Sequence, residues 1–385
     1  MANHWEEVQK KLDSIREKQL FRETKVYQGI DFCSNDYMGL TSNPRMLEFF
    51  QSRKNLYPFG STASRLVRGN TSSMDRFESE FVHFVEGEAA LLVSTGFTAN
   101  FGLLDSIAAP DCFVFTDRLN HASILDGIRI SGAKKKYYNH LDLNHLRTLL
   151  EKADLEDPNR KHKRIVVTET LFSMDGDSPD LKTLLSLKKE FGFVLVLDEA
   201  HTLGIYGPKG KGLVFRDLTS SEIQSIDYRV YTLGKSLGLE GGIIVTKKIG
   251  RDHLVNVMRP FIFSTAPLPL VSELASFALS LLSSMDKERE TLLTLAKELK
   301  NSLEENGFVL TNSTSHIIPV LLTTEKEALF FANSLQERGL DVRAIRPPTV
   351  STPRLRISLN AKLSLPDIQS LVKELVLIRE KWNSL

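Results

Sequence analysis

Short apolar runs alternate with amphipathic stretches through the middle of the chain. Between residues 89 and 246 these runs are AALLVST, CFVFTD, RIVVTET, FVLVLDEA, RVYTLG and GGIIVT. Each run is apolar throughout instead of at every second position, which is typical of strands that helices cover on both faces. The pattern predicts an α/β fold with a mainly parallel central sheet.

Polar residues follow these runs at the points where the predicted strands end. They are Ser94 to Gly96, Asp117, Glu169, Asp198 and Lys235. Ligands of such sheets bind at the carboxyl ends of the strands. We therefore expect one functional site to gather these side chains.

The last third of the chain has a different pattern. It opens with one apolar helix stripe that ends near Gly307, a residue type that favours the end of a helix. The stripe consists of Leu292, Leu295, Leu299 and Leu303. Beyond it, IIPVLL, DVRAI and RLRISL alternate with helices that begin at Thr324, with Glu327 in a capping box, and at Ser364. This alternation predicts a second, smaller α/β domain.

The pattern divides the chain into three parts. Residues 1–45 are predicted to be an N-terminal arm, since so short a segment cannot form a core of its own. Residues 46–265 are predicted to form the large domain that carries the site, and residues 266–385 the small C-terminal domain.

Composition narrows the class of protein. The 385 residues are 42% hydrophobic and 25% charged, with a net charge of +1. So small a net charge excludes a strong electrostatic field that would attract nucleic acid or an anionic membrane. The chain has no apolar run of transmembrane length and no apolar leader. Cys33 and Cys112 lie in apolar, strand-like contexts that favour reduced thiols over a disulfide or metal site. We expect a cytoplasmic protein without a membrane span or a metal.

Asp198 ends the run FVLVLD, where an unpaired carboxylate would be costly to bury. A protonated pyridine nitrogen would supply the missing cation, and the pair would make the ring an effective electron sink. The alternative is that Asp198 only caps the next helix. The helicase box that DEAH resembles is excluded, because Arg229 stands where a phosphate loop ending at Lys235 requires glycine.

Lys235 follows the run RVYTLG and lies among glycines that allow a ligand to approach the backbone closely. A partly desolvated amine at this position has a lowered pKa and can form an imine with an aldehyde cofactor. The alternative is an ordinary solvated lysine. Asp198 and Lys235 together point to an enzyme that uses pyridoxal 5′-phosphate.

A phosphate anchor is the next requirement. STGFTAN, which contains Gly96 and Phe97, offers small residues before a helix start, although many helices begin in this way without a phosphate. Thr232, Ser264 and Thr265 add hydroxyl groups. His121 follows another strand and is a candidate for stacking on the cofactor ring, or else a structural histidine.

Arginines of the C-terminal part are candidates for anion binding. Arg354 and Arg356 share one face of the strand RLRISL, because strand side chains alternate with period two. Either guanidinium could hold a carboxylate in a bidentate fork, or both could belong to a surface ladder of charges. Arg346, in AIRPPTV, is a second candidate anion site.

The ordered set of motifs resembles the α-oxoamine synthases, which are fold-type I pyridoxal phosphate enzymes of the aspartate aminotransferase-like fold. The resemblance runs from about Asp31 to the C-terminus. Its blocks are SNDYMGL, SRLVRGN, STGFTAN, NHASILDG, TETLFSMDGDSPDL, LDEAH, TLGKSLG, FSTA and AIRPPTV followed by RLRISLNA.

The resemblance implies a role for each matching residue. Lys235 matches the Schiff-base lysine, Asp198 the pyridinium partner and His121 the stacking residue, and these three with His201 are the implied catalytic groups. The implied contacts to the rest of the cofactor are Ser173 and His201 at its phenolic oxygen and Gly96, Phe97 and Thr232 at its phosphate. Ser264 and Thr265 would reach the phosphate of a partner subunit across a homodimer interface. Asn35, Arg346 and Arg356 match substrate-binding residues.

The resemblance is strongest to the members that act in biotin biosynthesis. It implies L-alanine and a pimeloyl thioester, carried by coenzyme A or by acyl carrier protein, as substrates of a decarboxylating condensation. The alternatives are family members with other substrates, such as glycine C-acetyltransferase, 5-aminolevulinate synthase and serine palmitoyltransferase. A cofactor-free binding scaffold is the alternative outside this class.

The chain departs from the family pattern at four places. The arm between Arg22 and Asp31 is short, and the loop between Val350 and Arg354 lacks two residues. Thr202 stands where glycine is common, and SLGLEGG replaces a stretch of smaller residues. None of these changes removes an implied catalytic group.

Overall fold

The computed structural model describes residues 3–18 and 20–385. Residues 1, 2 and 19 of the predicted arm lie outside the described residues. The arm contains helix α1 (His4–Glu17) and strand β1 (Ile30–Asp31). Strand β1 pairs in parallel with β10 (Leu340–Asp341) and so joins the arm to the C-terminal part of the chain.

A seven-stranded sheet lies at the centre of the molecule, in the order β2-β8-β7-β6-β5-β3-β4. All its neighbouring pairs are parallel except those of β8, which runs antiparallel to both β2 and β7. Its strands are β2 (Ala89–Val93), β3 (Phe113–Asp117), β4 (Lys134–Tyr138), β5 (Arg164–Glu169), β6 (Val194–Asp198), β7 (Tyr228–Thr232) and β8 (Gly242–Thr246). The predicted fold class and all six predicted strands are confirmed.

The sequence pattern missed strand β4. Its residues, KKKYY, contain no apolar run, because β4 lies at the edge of the sheet and leaves its first two lysines exposed to solvent. It pairs with β3 from Phe113 opposite Lys134 to Asp117 opposite Tyr138. Charged side chains are common on edge strands, where they prevent pairing with another chain.

Successive residues of the central strands belong to two different apolar clusters. In β2, Ala90 and Leu92 pack in the cluster on one face, and Leu91 and Val93 pack in the cluster on the other. Such strands are apolar at every position because helices cover both faces.

The helices divide between the two faces of the sheet. The first cluster includes residues of α3 (Ser72–Phe84), α6 (Leu143–Glu156) and α7 (Leu181–Phe191). The second includes residues of α4 (Gly96–Ile107), α5 (Ala122–Ser131) and α10 (Lys248–Val257). The remaining helices of this part are α2 (Pro44–Arg53), α8 (Val214–Asp217), α9 (Ser220–Gln224), α11 (Arg259–Phe263) and α12 (Pro269–Leu282).

The C-terminal part contains a smaller antiparallel sheet in the order β11-β12-β9, with the long helix α13 (Asp286–Glu305) before it. Its strands and remaining helices are β9 (Ile317–Leu321), α14 (Glu325–Glu337), β11 (Arg343–Ile345), β12 (Arg354–Ser358) and α15 (Leu365–Asn383). The leucine stripe of α13 is buried, and Gly307 follows the helix with φ +72°, as predicted. The Thr324 side chain accepts from the Glu327 amide, but the Glu327 carboxylate accepts from the amide of Thr323, so the predicted capping box at Thr324 is only half formed. Ser364 forms a capping box with Asp367.

The division at residues 45 and 265 stays a prediction. Helix α12, which follows the second boundary, packs against α2 and α3 of the large domain. Within the described ranges, no helix combines the length and the apolar character that a bilayer crossing requires.

Candidate active site

A cavity of about 140 Å³ opens at the carboxyl ends of β5, β6 and β7. The position is the one that the sequence pattern predicts, since parallel strands present their ligand sites at this edge. The lining consists of Gly96, Phe97, Asn100, His121, Ser123, Glu169, Asp198, Ala200, His201, Val230, Tyr231, Thr232 and Lys235. All four predicted catalytic residues therefore line one cavity: Lys235, His121, Asp198 and His201.

Asp198 is the last residue of β6 and is buried. Its Oδ1 accepts from the backbone amide of Ala200 at 2.8 Å, and its Oδ2 accepts from Nδ2 of Asn100 at 2.6 Å. The backbone contact shows that Asp198 stabilises the turn that follows β6. The alternative role was to cap a helix, but residues 200–205 form turns and no helix begins there. The backbone contact uses only Oδ1 of Asp198. Oδ2 is bound to Asn100, which is another residue of the cavity lining.

Asn100 is a cavity residue to which the sequence analysis gave no role, although the motif STGFTAN contains it. It is 3% exposed, and its Oδ1 has no hydrogen-bond partner within the described part of the chain. An unsatisfied buried amide oxygen is costly, so a donor from a ligand would stabilise the site.

Lys235 lies in the loop after β7, and its Nζ is 2.6 Å from Nε2 of His201. Burial lowers the pKa of Lys235 to about 8, while the carboxylates of Asp198 and Glu169 oppose this shift. Burial, together with the charges of Lys235 and Arg356, holds the pKa of His201 well below its usual range. At neutral pH, therefore, His201 is uncharged. A larger fraction of Lys235 is unprotonated than of an ordinary lysine with an unshifted pKa.

Glu169 ends β5 directly opposite Asp198 in the sheet register. Burial and the charge of Asp198 raise the pKa of Glu169. Its Oε1 accepts from the backbone amide of His121 at 2.6 Å, and so holds that residue at the mouth of the cavity. Glu169 lies at a predicted strand end, but its role cannot be predicted from the sequence, because its contact with His121 depends on the tertiary fold.

His121 caps α5 through Nδ1, which contacts Oγ of Ser123 at 2.8 Å. Its imidazole is exposed and lies edge to face with Phe97, with ring centroids 6.3 Å apart. The pKa of His121 is lowered because the cavity wall removes part of its water. A neutral, flat ring at the cavity mouth is suited to stacking on an aromatic ligand.

A backbone cradle forms another part of the cavity lining. Helix α4 begins at Gly96, where a side-chain Cβ would come within 3.0 Å of both Cβ and Oγ1 of Thr232. The Thr232 hydroxyl donates to the carbonyl of Gly241 and accepts from the amide of Gly234. The start of α4, with no Cβ at its first residue, provides amides and a helix dipole suited to an anion such as phosphate.

The two arginines of β12 have different partners. Arg354 forms an ion pair with Asp175, with Nη1 2.7 Å from Oδ1. Arg356 is buried, and it donates to the carbonyl of Ser173 at 2.6 Å and to Oδ1 of Asn35 at 3.1 Å. Within residues 3–18 and 20–385, no carboxylate lies within ion-pair distance of Arg356. Arg356 is therefore the better candidate for a substrate carboxylate.

Tyr37 connects this arginine region with the cavity. Its hydroxyl lies 2.9 Å from Oδ1 of Asn35 and 2.6 Å from Nδ1 of His201. The side chain is fully buried, and burial raises the pKa of the phenol to about 12. The motif SNDYMGL contains Tyr37, but nothing in its local sequence indicates this contact.

Several of the predicted residues lie away from the cavity lining. Ser264 and Thr265 are exposed beside a narrow cleft that Ser94 and Arg65 also line. Arg346 lines a separate groove of about 900 Å³ between residues 21–28 and helix α14. Ser173 contributes its backbone carbonyl to Arg356 but is not among the lining residues.

The expectation that one site gathers all the strand-end residues is wrong for Asp117, and Ser94 and Thr95 also lie outside the cavity lining. Its carboxylate accepts from the amides of Leu119 and Leu141 and contacts Nδ1 of His140 at 3.0 Å. Nε2 of His140 contacts Asp177 at 3.2 Å. We call Asp117, His140 and Asp177 the carboxylate clamp. These contacts occupy Asp117, so it does not line the cavity.

The donor set fits pyridoxal 5′-phosphate. Asp198 provides the anion that a pyridinium requires, and Lys235 the amine that bonds to an aldehyde. The cradle at Gly96 and Thr232 suits the phosphate, and the unsatisfied Asn100 oxygen leaves one polar position for a ligand donor.

Comparison with known proteins supports the same cofactor. A family model for aminotransferase class I and II matches residues 27–375. A relative from Bacillus cereus, named "Putative 8-amino-7-oxononanoate synthase", is 37% identical over 373 residues, which cover 96% of this chain and 92% of the relative.

Solved structures give the same picture. A serine palmitoyltransferase from S. paucimobilis with bound pyridoxal phosphate and myriocin has a TM-score of 0.89 at 25% identity, covering 98% of both chains. An 8-amino-7-oxononanoate synthase from Francisella tularensis has a TM-score of 0.78 at 25% identity, covering 93% of this chain and 99% of that one.

Proposed function

We propose that this chain catalyses a decarboxylating condensation of L-alanine with a pimeloyl thioester. The chain belongs to the aminotransferase class I and II family and, within it, to the α-oxoamine synthases. The chain is a pyridoxal phosphate-dependent C-acyltransferase. The proposed activity is that of an 8-amino-7-oxononanoate synthase, which acts in biotin biosynthesis. The observation that carries the proposal is that Lys235, Asp198 and His121 line one cavity. Arg356, which pairs with no carboxylate among the described residues, is joined to Lys235 by hydrogen bonds through Asn35, Tyr37 and His201.

The residues present would hold the cofactor at four points. Lys235 would bond to its aldehyde carbon, Asp198 would pair with its ring nitrogen, and the cradle of Gly96 and Thr232 would bind its phosphate. His121 would stack on the ring. When bound, the cofactor supplies an electron sink for the carbanion that forms at the α-carbon of the amino acid.

Arg356 would hold the carboxylate of L-alanine, with Asn35 beside it, in the manner of a charge-assisted hydrogen bond. The Lys235 amine, once the substrate has displaced it, would take the α-proton, since its burial lowers its pKa and favours the unprotonated amine. The α-carbon would then bond to the acyl carbon, and the carbon–sulfur bond would break to release a thiolate, which takes a proton from water. The bond to the carboxylate breaks next, carbon dioxide leaves, and Lys235 returns a proton to the α-carbon.

A substrate panel tests the reaction. Glycine, L-alanine and L-serine are each combined with acetyl, pimeloyl and palmitoyl thioesters of coenzyme A, and with pimeloyl-acyl carrier protein. Thiol release and carbon dioxide release are measured together. We expect L-alanine with a pimeloyl thioester to give the highest kcat/KM. A preference for glycine with acetyl-coenzyme A, or for L-serine with palmitoyl-coenzyme A, would contradict the assignment in favour of another member of the family.

We also propose that the active site is completed by a second copy of the chain. Leu66, Val67 and Phe263 are exposed apolar side chains, with Phe263 directly before Ser264 and Thr265. The segment Arg65–Gly69 contacts α11, so these apolar residues share one region of the surface. Exposed apolar surface of this kind is typical of a protein interface.

The oligomeric state tests this second proposal. Light scattering of the purified protein should give the mass of a dimer, and Val67→Asp should shift it towards the monomer and weaken cofactor binding. A monomeric wild-type protein with full cofactor affinity would contradict the proposed role of Ser264 and Thr265.

A further inference from the structure

A row of hydrogen bonds connects Arg356 with Lys235, and it reaches the cavity at His201. Arg356 Nη2 donates to Oδ1 of Asn35 at 3.1 Å, and the Tyr37 hydroxyl lies 2.9 Å from the same oxygen. The hydroxyl is also 2.6 Å from Nδ1 of His201, whose Nε2 is 2.6 Å from Nζ of Lys235. Tyr37, His201 and Arg356 are all buried, so water does not compete for these contacts.

The direction of each hydrogen bond follows from its donors. The Asn35 atom in the row is the amide oxygen, because Arg356 can only donate to it. Tyr37 has one O–H, and only as a donor can it bond to that oxygen. The Tyr37 oxygen must then accept from Nδ1–H of His201.

The proton count of His201 completes the assignment. His201 is neutral, since burial and the neighbouring charges of Lys235 and Arg356 disfavour its charged form. A neutral imidazole has a single N–H. With that hydrogen on Nδ1, the bare Nε2 faces Lys235 and accepts a hydrogen bond from its amine.

We propose that Tyr37 is a positioning residue that fixes the tautomer of His201, with the hydrogen on Nδ1 and the unprotonated Nε2 facing Lys235. The proposal rests on the proposed role of Lys235 as the lysine that bonds to the cofactor. In the cofactor-free chain this gives His201 a defined function: its Nε2 accepts from the Lys235 amine and holds the amine in place before the cofactor binds.

Removal of the Tyr37 hydroxyl reverses the arrangement. In Tyr37→Phe, a hydrogen on Nδ1 would face a buried apolar ring without an acceptor, which costs more than an unprotonated nitrogen there. The hydrogen therefore moves to Nε2 and points at Lys235, where it favours the free amine. The other charged groups that act on Lys235 are Asp198, Glu169 and Arg356, and this substitution leaves all three in place.

The tautomer can be observed directly by nitrogen NMR on the full chain labelled with ¹⁵N-histidine, before any cofactor is added. The His201 signals are assigned by their loss in His201→Gln. We expect Nδ1–H in the wild type and Nε2–H in Tyr37→Phe. An Nε2–H tautomer in the wild type, or an unchanged tautomer in Tyr37→Phe, would overturn the proposal.

Tyr206 offers a matched control. It is also a buried tyrosine, but its hydroxyl lies 3.4 Å from Nδ1 of His316 instead of contacting His201. Tyr206→Phe should leave the His201 tautomer unchanged. An equal change in both variants would mean that general loosening of the core, and not the Tyr37 hydroxyl, sets the tautomer.

The second measurement is the pH dependence of imine formation when pyridoxal phosphate is added to the cofactor-free chain. In Tyr37→Phe the midpoint should fall by about one pH unit, because a hydrogen bond to the charged amine is lost. Tyr206→Phe should show the wild-type midpoint. A midpoint that is equal in wild type and Tyr37→Phe would contradict the proposal.

Asn35→Ala provides a variant for the case that Tyr37→Phe does not fold. Without the Asn35 oxygen, the Tyr37 hydroxyl is free to donate to His201, so a mixture of the two tautomers is expected. A pure Nδ1–H tautomer in Asn35→Ala would overturn the proposed order of donors. None of these measurements uses an amino acid or a thioester, so they stand or fall separately from the substrate assignment.

Discussion

The cavity and the carboxylate clamp lie at the carboxyl ends of the same sheet, and both collect buried ionisable groups. In the clamp, Asp117 and Asp177 satisfy both ring nitrogens of His140. Burial opposes a charge on His140, but the two carboxylates outweigh it and raise its pKa to about 10. In the cavity, burial instead lowers the pKa of Lys235.

The two sites differ in which polar groups lack a hydrogen-bond or ion-pair partner and can therefore bind a ligand. Each charge of the clamp has its counter-charge within the chain, which is what a structural role requires. The cavity retains the unpartnered amide oxygen of Asn100. Arg356, which is linked to the cavity through Asn35, Tyr37 and His201, has no carboxylate partner among the described residues. Strand-end position alone therefore does not identify a functional residue. A buried polar group that lacks a partner among the described residues is the better indicator.

Lys235→Ala should have the largest effect on activity. Loss of both the nucleophile and the base should lower turnover by at least about 10³-fold and abolish the visible absorbance of the bound cofactor. Lys247→Ala, which removes an exposed lysine, is the control and should behave as the wild type. Retention of either turnover or absorbance in Lys235→Ala would place the cofactor elsewhere.

Asp117→Asn should affect stability instead of chemistry. It leaves the protonated His140 with one carboxylate, and breaking a buried pair should lower the free energy of unfolding by about 3 kcal/mol. Denaturant unfolding measures this change, and kcat per folded molecule should stay near the wild-type value. A large loss of kcat with unchanged stability would move Asp117 into the catalytic site.

Arg354 and Arg356 allow the same comparison, between an arginine with a carboxylate partner and one without, on the single strand β12. Arg356→Leu should raise the KM for L-alanine by about 10- to 100-fold, because a charge-assisted contact to the carboxylate is lost. Arg354→Leu should leave that KM unchanged and lower stability, since Arg354 is paired with Asp175. Steady-state kinetics of both variants decides the assignment, and equal KM values would contradict it.

The clamp also predicts how stability depends on pH. The pKa of His140 is raised in the folded protein from 6.5 to about 10. Its stabilisation is therefore complete below about pH 6.5 and is lost as the pH rises towards 10, with a slope of at most about 1.4 kcal/mol per pH unit. Unfolding measured at pH 7 and pH 8 should show this decline in the wild type and a smaller one in His140→Gln. Parallel profiles would show that His140 does not carry the effect.

The sequence pattern predicted the sheet and the core of the site because both depend on local features. Apolar runs mark strands that are buried on both faces, and Asp198 and Lys235 stand directly after two of them. Edge strand β4 was missed because solvent, and not a helix, covers part of it.

Other site residues could not be predicted because their contacts join distant parts of the chain. Tyr37 meets His201 across 164 positions, and Asn100 meets Asp198 across 98. Asp117 was wrongly expected in the cavity because nothing near it in sequence shows that His140 and Asp177 form a competing site. The fold, and not the local pattern, decides which polar residue is satisfied.

The most direct test of the central claim is to locate the lysine that carries the cofactor. The protein is loaded with pyridoxal phosphate, reduced with borohydride and digested, and the labelled peptide is identified by mass spectrometry. We predict a single phosphopyridoxyl group on Lys235, within the sequence RVYTLGKSLG. A label on another lysine, or none, would contradict the assignment of the cavity as the active site.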